Sequence, residues 1–162
     1  MNKKIIFLDR DGVINMERGD YTFKIDYFVF VDGLFSALAL LKNKGFEFIV
    51  ITNQGGISKG IYTHQDVQQL NNLIKAAFKN HQLKLLDIFY CPHHNDVEKC
   101  ICRKPDSLLL EKAIAKYNVD IGKSYFVGDS DRDIEAAKKV GVKGIKVNKN
   151  SDLNVYINQI VT

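Results

Sequence analysis

The amino-acid sequence predicts a three-layer α/β/α domain built around a mainly parallel β-sheet. Short runs rich in Ile, Val and Phe alternate with longer segments of helical period, an order typical of βα units. One run, FEFIVI, is apolar throughout, which indicates a strand buried on both faces and therefore helices on both sides of the sheet. A chain of 162 residues is long enough for one well-packed core and short for two. We therefore expect a single domain over residues 1–162.

Each element of this fold is predicted from its own pattern. The predicted strands are the apolar runs at residues 4–8, 46–51, 88–90, 124–127 and 144–147. The predicted helices repeat apolar residues at helical spacing and lie at residues 33–43, 63–79, 107–117 and 131–140. Thr63, followed three residues later by Asp66, fits the start of a helix. The chain after Asp11 and after Thr52 has room for a loop or a helix, so we expect no large cap domain.

The composition suits a small anionic ligand at least as well as a nucleic acid, without deciding between them, and it fits an intracellular protein. Lys and Arg number 23 against 19 Asp and Glu, and the net charge of +4 is spread along the chain without a block of like charges. The amino terminus, MNKKIIFLDRDG, resumes its charges after a short apolar run, which is too short for a signal peptide or a membrane span. We expect a cytoplasmic protein whose three cysteines stay reduced.

Polar clusters follow three of the predicted strands, in the segments IIFLDRDG, IVITNQGG and YFVGDSDRD. Ligands of open α/β sheets bind outside the carboxyl ends of the strands. The three clusters therefore predict one active site at that edge of the sheet.

The first cluster contains two aspartates, Asp9 and Asp11, directly after an apolar strand. Residues i and i+2 of an extended chain point to the same side, so these carboxylates should converge while Arg10 points elsewhere. Carboxylates held that close repel each other unless a cation lies beside them, and Mg²⁺, a hard divalent ion, fits that need. Taken alone, the motif is equally compatible with an Asp-Gly turn whose acids are solvated.

The other two clusters supply groups that suit a phosphate ester. Asp129 follows an apolar strand and a glycine, so it could complete the metal site, and Asp133 could hydrogen-bond the neighbouring loop. Lys104 provides a positive charge just before a helix. Phosphate oxygens could be bound by the side chains of Thr52 and Asn53 and by the backbone N–H groups of Gly55 and Gly56.

The order acid, hydroxyl, lysine, acid resembles the four motifs of the haloacid dehalogenase-like (HAD) superfamily of phosphotransferases, over nearly the whole chain. The resemblance implies a Rossmann-like fold in which Asp9 attacks phosphorus to form an aspartyl-phosphate. Asp11 would protonate the leaving oxygen and later activate water. Mg²⁺ would be held by Asp9, the backbone carbonyl of Asp11 and Asp129. Thr52 and Lys104 would stabilise the transferring phosphoryl group, which suits a reaction that depends on positioning and charge neutralisation.

All three cysteines lie in residues 91–102, CPHHNDVEKCIC. The spacing C-x-H-x6-C-x-C offers three sulfurs and one nitrogen, a set that matches a structural tetrahedral zinc site. Four ligands close the coordination sphere, so we expect Zn²⁺ to pin this loop and to hold Arg103 and Lys104 at the pocket rim. The sulfur ligands would be Cys91, Cys100 and Cys102, and the nitrogen ligand would be His93 or its competitor His94.

A zinc loop directly before the lysine motif resembles one branch of the superfamily, which contains phosphatases of D-glycero-D-manno-heptose 1,7-bisphosphate and of histidinol phosphate. That branch implies His93 as the nitrogen ligand. The segments NMERGDYTFKIDYFVFVDG and ITNQGGISKGIYT are closer to the heptose enzymes and imply hydrolysis of the 7-phosphate. The implied substrate contacts are Glu17, Arg18, Gly19, Asp20, Thr52, Asn53, Gln54, Gly55, Arg103 and Lys104.

Three alternatives to this function remain at the level of the sequence. Histidinol phosphate stays a candidate substrate because the loop between His93 and Cys100 is short and because Ser130 stands where a lysine is common. A zinc-ribbon nucleic-acid module is disfavoured because no basic helix or aromatic strand face accompanies the cysteines. A catalytically silent scaffold is disfavoured because every motif residue is present. We expect a monomeric phosphatase whose partner is a small phosphorylated sugar, without nucleic acid or membrane.

Overall fold

The structure is a computed structural model that describes residues 1–160. Within these residues five strands form one parallel sheet in the order β3-β2-β1-β4-β5. The strands are β1 (Ile5–Leu8), β2 (Glu47–Asn53), β3 (Leu85–Cys91), β4 (Tyr125–Gly128) and β5 (Lys143–Lys146). The α-helices are α1 (Leu34–Asn43), α2 (His64–Asn80), α3 (Leu108–Tyr117) and α4 (Asp131–Lys139), and short 3-10 segments lie at Ile25–Tyr27, Ile121–Lys123 and Leu153–Gln159.

The central strand β1 shows why three layers form. Its side chains alternate between the faces of the sheet, as strand geometry requires, and all four are fully buried. Ile6 and Leu8 pack in a core with α1 and α2, whereas Ile5 and Phe7 pack in a second core with α3 and α4. Helices therefore cover both faces, and the predicted three-layer fold with a parallel sheet is confirmed.

Two strands are longer than predicted, and both extensions matter for the site. β2 continues to Asn53, and β3 begins at Leu85 and ends at Cys91. The sequence pattern of β3 is weak because most of its residues are only partly buried at the edge of the sheet. Asn53 pairs with Cys91, so the cysteine loop starts directly beside the strand-end cluster of β2.

Thr63 precedes α2 and forms the expected capping box with Asp66. No helix in the part of the chain that the structure describes is long and apolar enough to cross a membrane.

Candidate active site and cysteine cluster

A cavity of about 550 Å³ opens at the carboxyl ends of β1, β2 and β4. The residues predicted from the sequence that line it are Asp9, Asp11, Glu17, Gly19, Asp20, Asn53, Gln54, Gly55, Arg103, Lys104 and Asp129. Thr52 is buried beneath this lining, and its Oγ1 accepts a hydrogen bond from Gln54 Nε2 at 3.0 Å. The guanidinium of Arg18 instead lies over the ring of Tyr27, 4.2 Å from its centroid.

Lys104 is the central cation of the cavity floor. Its Nζ donates to Asp9 Oδ1 at 2.9 Å, to Asp133 Oδ1 at 2.6 Å and to the carbonyl of Ile51 at 2.8 Å. These bonds use all three N–H groups of the ammonium. Burial lowers the pKa of Lys104, but the two carboxylates outweigh it and the pKa lies above its usual value. Lys104 therefore stays charged at its buried position.

The backbone of Lys104 is fixed by Asn53, the last residue of β2. Asn53 Nδ2 donates to the carbonyl of Lys104 at 3.1 Å, and Asn53 Oδ1 accepts from the Lys104 N–H at 3.0 Å. This pair of bonds ties the loop that carries the lysine to a strand of the sheet. The position of the charge thus depends on the sheet rather than on the loop alone.

Three carboxylates, Asp9, Asp129 and Asp133, form the acidic part of the floor, and each offers an oxygen within 4.8 Å of the others. Burial raises the pKa of Asp9 well above its usual value, against the opposing charge of Lys104, and burial also raises the pKa of Asp129. One lysine does not balance three acids. A hard divalent cation with carboxylate ligands fits this excess of negative charge, so the donor set suits Mg²⁺.

The three carboxylates differ in the groups that contact their oxygens. Asp133 is 1% exposed and accepts bonds at both oxygens, from Lys104 at Oδ1 and from the N–H and hydroxyl of Ser130 at Oδ2, each at 3.1 Å. It caps α4 and positions the lysine. Asp129 approaches the turn at Gly12 so closely that a Cβ there would lie 2.3 Å from Asp129 Oδ2. Gly12 also has a φ of 87°, which favours glycine, so this turn admits no larger residue without strain.

The expectation that Arg10 points away from the site is wrong. Its side chain is buried, and Nη2 donates to Asp11 Oδ1 at 2.9 Å and to the carbonyl of Thr22 at 2.7 Å. The reason is that β1 ends at Leu8, after which the chain turns and the N–H of Ile14 bonds the carbonyl of Arg10 at 2.7 Å. Strand alternation no longer applies to residues 9–11.

The carboxylate of Asp11 is held apart from the other acids of the floor. Its Oδ1 accepts from Arg10 and from Asn15 Nδ2 at 3.0 Å, and its Oδ2 accepts from Gln54 Nε2 at 3.1 Å. The side chain faces the cavity, but it does not belong to the cluster of three carboxylates. This separates an acid that can exchange protons with a ligand from the acids that suit a cation.

The cysteine cluster lies beside the cavity. Cys91 Sγ is 3.7 Å from Cys100 Sγ, 2.9 Å from Cys102 Sγ and 3.5 Å from His93 Nδ1. His93 Nδ1 is 3.3 Å from Cys102 Sγ. Ligand atoms of tetrahedral zinc lie roughly 3.5 to 3.8 Å apart, close to most of these separations. Three sulfurs and one nitrogen thus converge on one point, a donor set that fits Zn²⁺.

His94 turns the other way. It lines the cavity, and its Nδ1 accepts from the N–H of Asp96 at 3.1 Å. The structure therefore brings His93 to the three sulfurs and leaves His94 at the mouth of the cavity.

Residues 101–154 match the family model described as HAD-hydrolase-like. The chain is 40% identical over 149 residues to D-glycero-beta-D-manno-heptose-1,7-bisphosphate 7-phosphatase of Haemophilus ducreyi, which covers 88% of this chain and 81% of that protein. The enzyme of the same name from Escherichia coli K12 is 40% identical over 148 residues, covering 88% and 76%. The chain belongs to the HAD-like hydrolases.

Solved structures that are similar to this HAD-like protein include an enzyme of the same kind. D,D-heptose 1,7-bisphosphate phosphatase from B. bronchiseptica, complexed with magnesium and phosphate, superposes with a TM-score of 0.83 at 29% identity, covering 96% of this chain and 86% of that one. A putative HAD-like phosphatase from Mesorhizobium loti gives a TM-score of 0.84 at 23% identity, covering 98% and 86%, which supports the fold alone. The predicted family and its Rossmann-like HAD fold are confirmed.

Five residues that line the cavity were not named from the sequence: Tyr21, Thr22, Tyr62, Arg132 and Lys149. His94, Ser130 and Asp133 also line it, and the sequence had named them in other roles. Lys149 follows β5, so the strand-end rule applied to a fourth strand would have found it. Arg132 lies in the first turn of α4, inside the same DSDRD segment that supplied Asp129. Tyr62 carries no such signal, because nothing in its local pattern distinguishes it from a core aromatic.

Three of the cavity's cations form a positive rim, which we define as Arg103, Arg132 and Lys149. None of them makes an ion pair within residues 1–160. Arg103 Nη1 donates to the carbonyl of His93 at 3.1 Å, and its buried Nε has no partner among the described residues. Burial and the charges of Lys59, Arg103 and Arg132 lower the pKa of His94, as expected where cations gather at one mouth.

Proposed function

We propose that this HAD-like protein hydrolyses the 7-phosphate of D-glycero-D-manno-heptose 1,7-bisphosphate through an aspartyl-phosphate on Asp9. The observation that carries the proposal is the division of one cavity into an acidic floor around Lys104 and a positive rim. A substrate with two phosphates suits such a site, because one phosphate can react at the floor while the other is bound at the rim. The relatives named for this substrate, at 40% identity, support the same choice and confirm the predicted class of enzyme, a phosphatase.

At the floor, Asp9 is the nucleophile. Its Oδ1 is bound by Lys104, which leaves Oδ2 free to attack phosphorus. Asp9, Asp129 and the backbone carbonyl of Asp11 would hold Mg²⁺, which supplies neutralising charge for the phosphoryl oxygens when bound. Lys104, and Thr52 beneath the lining, stabilise the transferring group, since charge placed in advance is the main contribution a protein makes to phosphoryl transfer.

Asp11 handles the proton in both half-reactions. In the first, it gives a proton to the sugar oxygen as the bond between that oxygen and phosphorus breaks. In the second, the ionised Asp11 takes a proton from the water that attacks the aspartyl-phosphate. Its place at the cavity surface, separate from the three clustered carboxylates, suits this role.

The sugar is proposed to contact the loop from Glu17 to Asp20 and the strand-end segment from Asn53 to Gly55, with Arg18 reorienting from Tyr27 if it takes part. The loop is tied to the segment after β5 by two bonds: Asn150 Oδ1 accepts from the N–H of Glu17 at 2.7 Å, and Asn150 Nδ2 donates to the Glu17 carbonyl at 2.9 Å. Lys149 of the rim is therefore next to a fixed point of the sugar loop. The second phosphate would be bound by the rim.

We propose a structural Zn²⁺ at Cys91, His93, Cys100 and Cys102. Support comes from the convergence of the four donor atoms and from the position of the cluster directly before Arg103 and Lys104. Four protein ligands leave no open coordination position, so the metal would stabilise the loop without touching the substrate. We further propose one domain over residues 1–162, acting as a monomer in the cytoplasm.

The test of this function is phosphate release with Mg²⁺, with and without EDTA, on both anomers of the heptose bisphosphate and on histidinol phosphate. Relatives are named for the beta and for the alpha anomer, at 40% and 39% identity, so both belong in the panel. We expect kcat/KM for a bisphosphate to exceed that for histidinol phosphate by roughly tenfold or more, because the rim has a second anion to bind. Equal values, or a preference for histidinol phosphate, would contradict the assignment.

A further inference from the structure

Tyr62 forms a hydrogen-bonded chain with Gln54 and Asp11 in the wall of the cavity. Tyr62 Oη donates to Gln54 Oε1 at 2.7 Å, and Gln54 Nε2 donates to Asp11 Oδ2 at 3.1 Å and to Thr52 Oγ1 at 3.0 Å. Tyr62 is 5% exposed and Gln54 is 3% exposed. Every polar atom of the Gln54 amide is thus occupied, with its acceptor end toward the tyrosine and its donor end toward the acid.

A glutamine amide has a donor end and an acceptor end that exchange when it rotates by half a turn. The Tyr62 hydroxyl favours the observed orientation, because Oε1 accepts its buried proton. With Nε2 facing the hydroxyl, that proton would lose the acceptor it has within residues 1–160. Burial raises the pKa of Tyr62 to about 12, with Asp11 adding to the increase and Arg10 opposing it. The hydroxyl therefore keeps its proton over the whole working range of an enzyme.

The orientation matters because Gln54 is the protein's partner of Asp11 Oδ2. Arg10 and Asn15 occupy Oδ1, whereas Oδ2 accepts from Gln54 alone, and the Asp11 side chain lines the cavity. If the amide rotated, Oε1 would face Asp11 and would accept the proton that the acid form carries. A proton bound to Gln54 is not available to a leaving group.

We propose that Tyr62 is a positioning residue that holds the Gln54 amide as a donor, so that Asp11 offers its proton to the substrate and not to the protein. This rests on the proposed phosphatase reaction. In its first half the bond from Asp9 to phosphorus forms, the bond from phosphorus to the leaving oxygen breaks, and that oxygen takes the proton from Asp11. Tyr62 touches none of the reacting atoms and acts through Gln54.

The packing around Tyr62 allows its hydroxyl to be removed alone. The ring stacks on Phe23, with centroids 5.4 Å apart and planes at 11°, and meets Tyr21 edge to face at 5.8 Å. It lies so close to Gly56 that a Cβ there would be 2.1 Å from the ring. The variant Tyr62→Phe keeps these contacts and removes one hydrogen bond.

The test compares leaving groups. An alkyl oxygen needs a proton as it departs, whereas 4-nitrophenolate is a weak base that leaves with little help. The assay contains Mg²⁺ and zinc-loaded protein. We expect Tyr62→Phe to lower kcat/KM on an alkyl phosphate by roughly three- to tenfold, which corresponds to the free energy of one hydrogen bond. On p-nitrophenyl phosphate we expect kcat/KM to fall by less than about twofold. Equal losses on the two esters would overturn the proposal, since a structural defect affects both.

A double-mutant cycle tests the route through Gln54. In a Gln54→Met background, Tyr62→Phe should have no further effect on the alkyl ester, because the amide that it orients is gone. An additive loss would show that Tyr62 acts by another route. The matched control is Tyr117→Phe, which removes a hydroxyl bonded to Asp87 Oδ2 at 2.6 Å. Tyr117 does not line the cavity, so this variant should hydrolyse both esters as the wild type does.

The result of the Tyr62 test can be distinguished from the result of the substrate test. The alkyl phosphate can be the heptose bisphosphate or any other alkyl ester that the wild type turns over. Failure on the heptose substrate would therefore count against the substrate assignment, while the ratio between esters would still decide the role of Tyr62.

Discussion

The acidic floor and the cysteine cluster each gather residues from distant parts of the chain, but different forces hold them. Asp9, Asn53 and Asp129 stand at the ends of paired strands, and the charges of the two aspartates are partly balanced by Lys104. In the cysteine cluster only Cys91 belongs to a strand, and the remaining ligands lie in a loop whose apolar side chains Val97 and Ile101 are exposed at 54% and 70%.

The difference indicates which region depends on a metal for its shape. The floor is built by the sheet and by hydrogen bonds, so removing its cation should abolish chemistry and leave the fold intact. The loop has little core of its own, so removing its cation should release the chain around it.

The largest effect is expected from Asp9→Asn. An amide cannot act as the nucleophile, so kcat should fall by roughly 10³-fold or more, while circular dichroism and the melting temperature stay near those of the wild type. The matched control is Asp131→Asn, an exposed acid on α4 paired with Lys146, which should retain activity. Turnover by Asp9→Asn at the wild-type rate would eliminate the proposed nucleophile.

A smaller but broader effect is expected from Cys100→Ser. The chain should bind less than one zinc ion by elemental analysis, the loop at residues 92–103 should become sensitive to proteolysis, and kcat/KM should fall by roughly tenfold as Lys104 loses support from one side. Lys99→Ala, next to this ligand and exposed, is the control. Full activity and protection in the zinc-free variant would mean that the loop is shaped by the fold, as the floor is.

The positive rim should affect binding more than chemistry. For Arg132→Ala combined with Lys149→Ala, we expect KM for the bisphosphate to rise roughly tenfold with kcat little changed, because two charged contacts to the second phosphate are lost. A monophosphate ester should show no change. Lys143→Ala combined with Lys146→Ala removes two exposed lysines outside the cavity lining and controls for net charge. A fall in kcat on both substrates would place these cations at the reacting end of the cavity instead.

The smallest effect concerns the strand that carries Cys91. Asp87 on β3 accepts from Tyr117 Oη at 2.6 Å and from Lys116 Nζ at 3.0 Å, and although burial raises its pKa, these bonds outweigh it and hold the pKa below the usual value. A carboxylate whose pKa is lower in the folded state stabilises the fold above its unfolded pKa of about 4 and loses that contribution as pH falls through its folded pKa.

Asp87→Asn should therefore lower the free energy of unfolding by about 1 kcal/mol at pH 7 and by much less near pH 2. Denaturant titrations at the two pH values measure this difference. Glu135→Gln, an exposed acid, should show no such dependence. A loss of the same size at both pH values would show that packing at Asp87 matters and its charge does not.

The sequence predicted most residues of the acidic floor, because residues that directly follow parallel strands lie at the same edge of the sheet. An apolar run that ends in Asp9 or Asp129 places that acid at a known edge of the sheet, and Lys104 is recognisable before its helix. The side chain of Arg10 could not be placed, because strand alternation ends at Leu8 and because its guanidinium donates to the carbonyl of Thr22, 12 residues away, as well as to neighbouring Asp11. Asp133 was expected to bond the neighbouring loop, but its bond to Lys104 was not predicted. The two residues are 29 positions apart along the chain.

The three sulfurs of the proposed zinc site follow from spacing, whereas the choice of His93 over His94 rested on the resembled branch. Adjacent residues in a loop have no fixed alternation, so only the path of the chain decides which imidazole meets the sulfurs. That path is fixed by Ser58, whose Oγ accepts from the N–H of His94 at 2.8 Å. A contact 36 residues away along the chain cannot be read from local sequence.

The loop at residues 92–103 is anchored at both of its ends to the same residue of β2. Asn53 pairs with Cys91 in the sheet, and its side chain holds the backbone of Lys104 with two bonds. Insertions or deletions between His93 and Cys100, which keep the four proposed metal ligands, should therefore change the outline of the substrate mouth without displacing the lysine. Loops of other lengths could be introduced there by design to alter substrate preference. The reacting groups at the cavity floor would keep their positions.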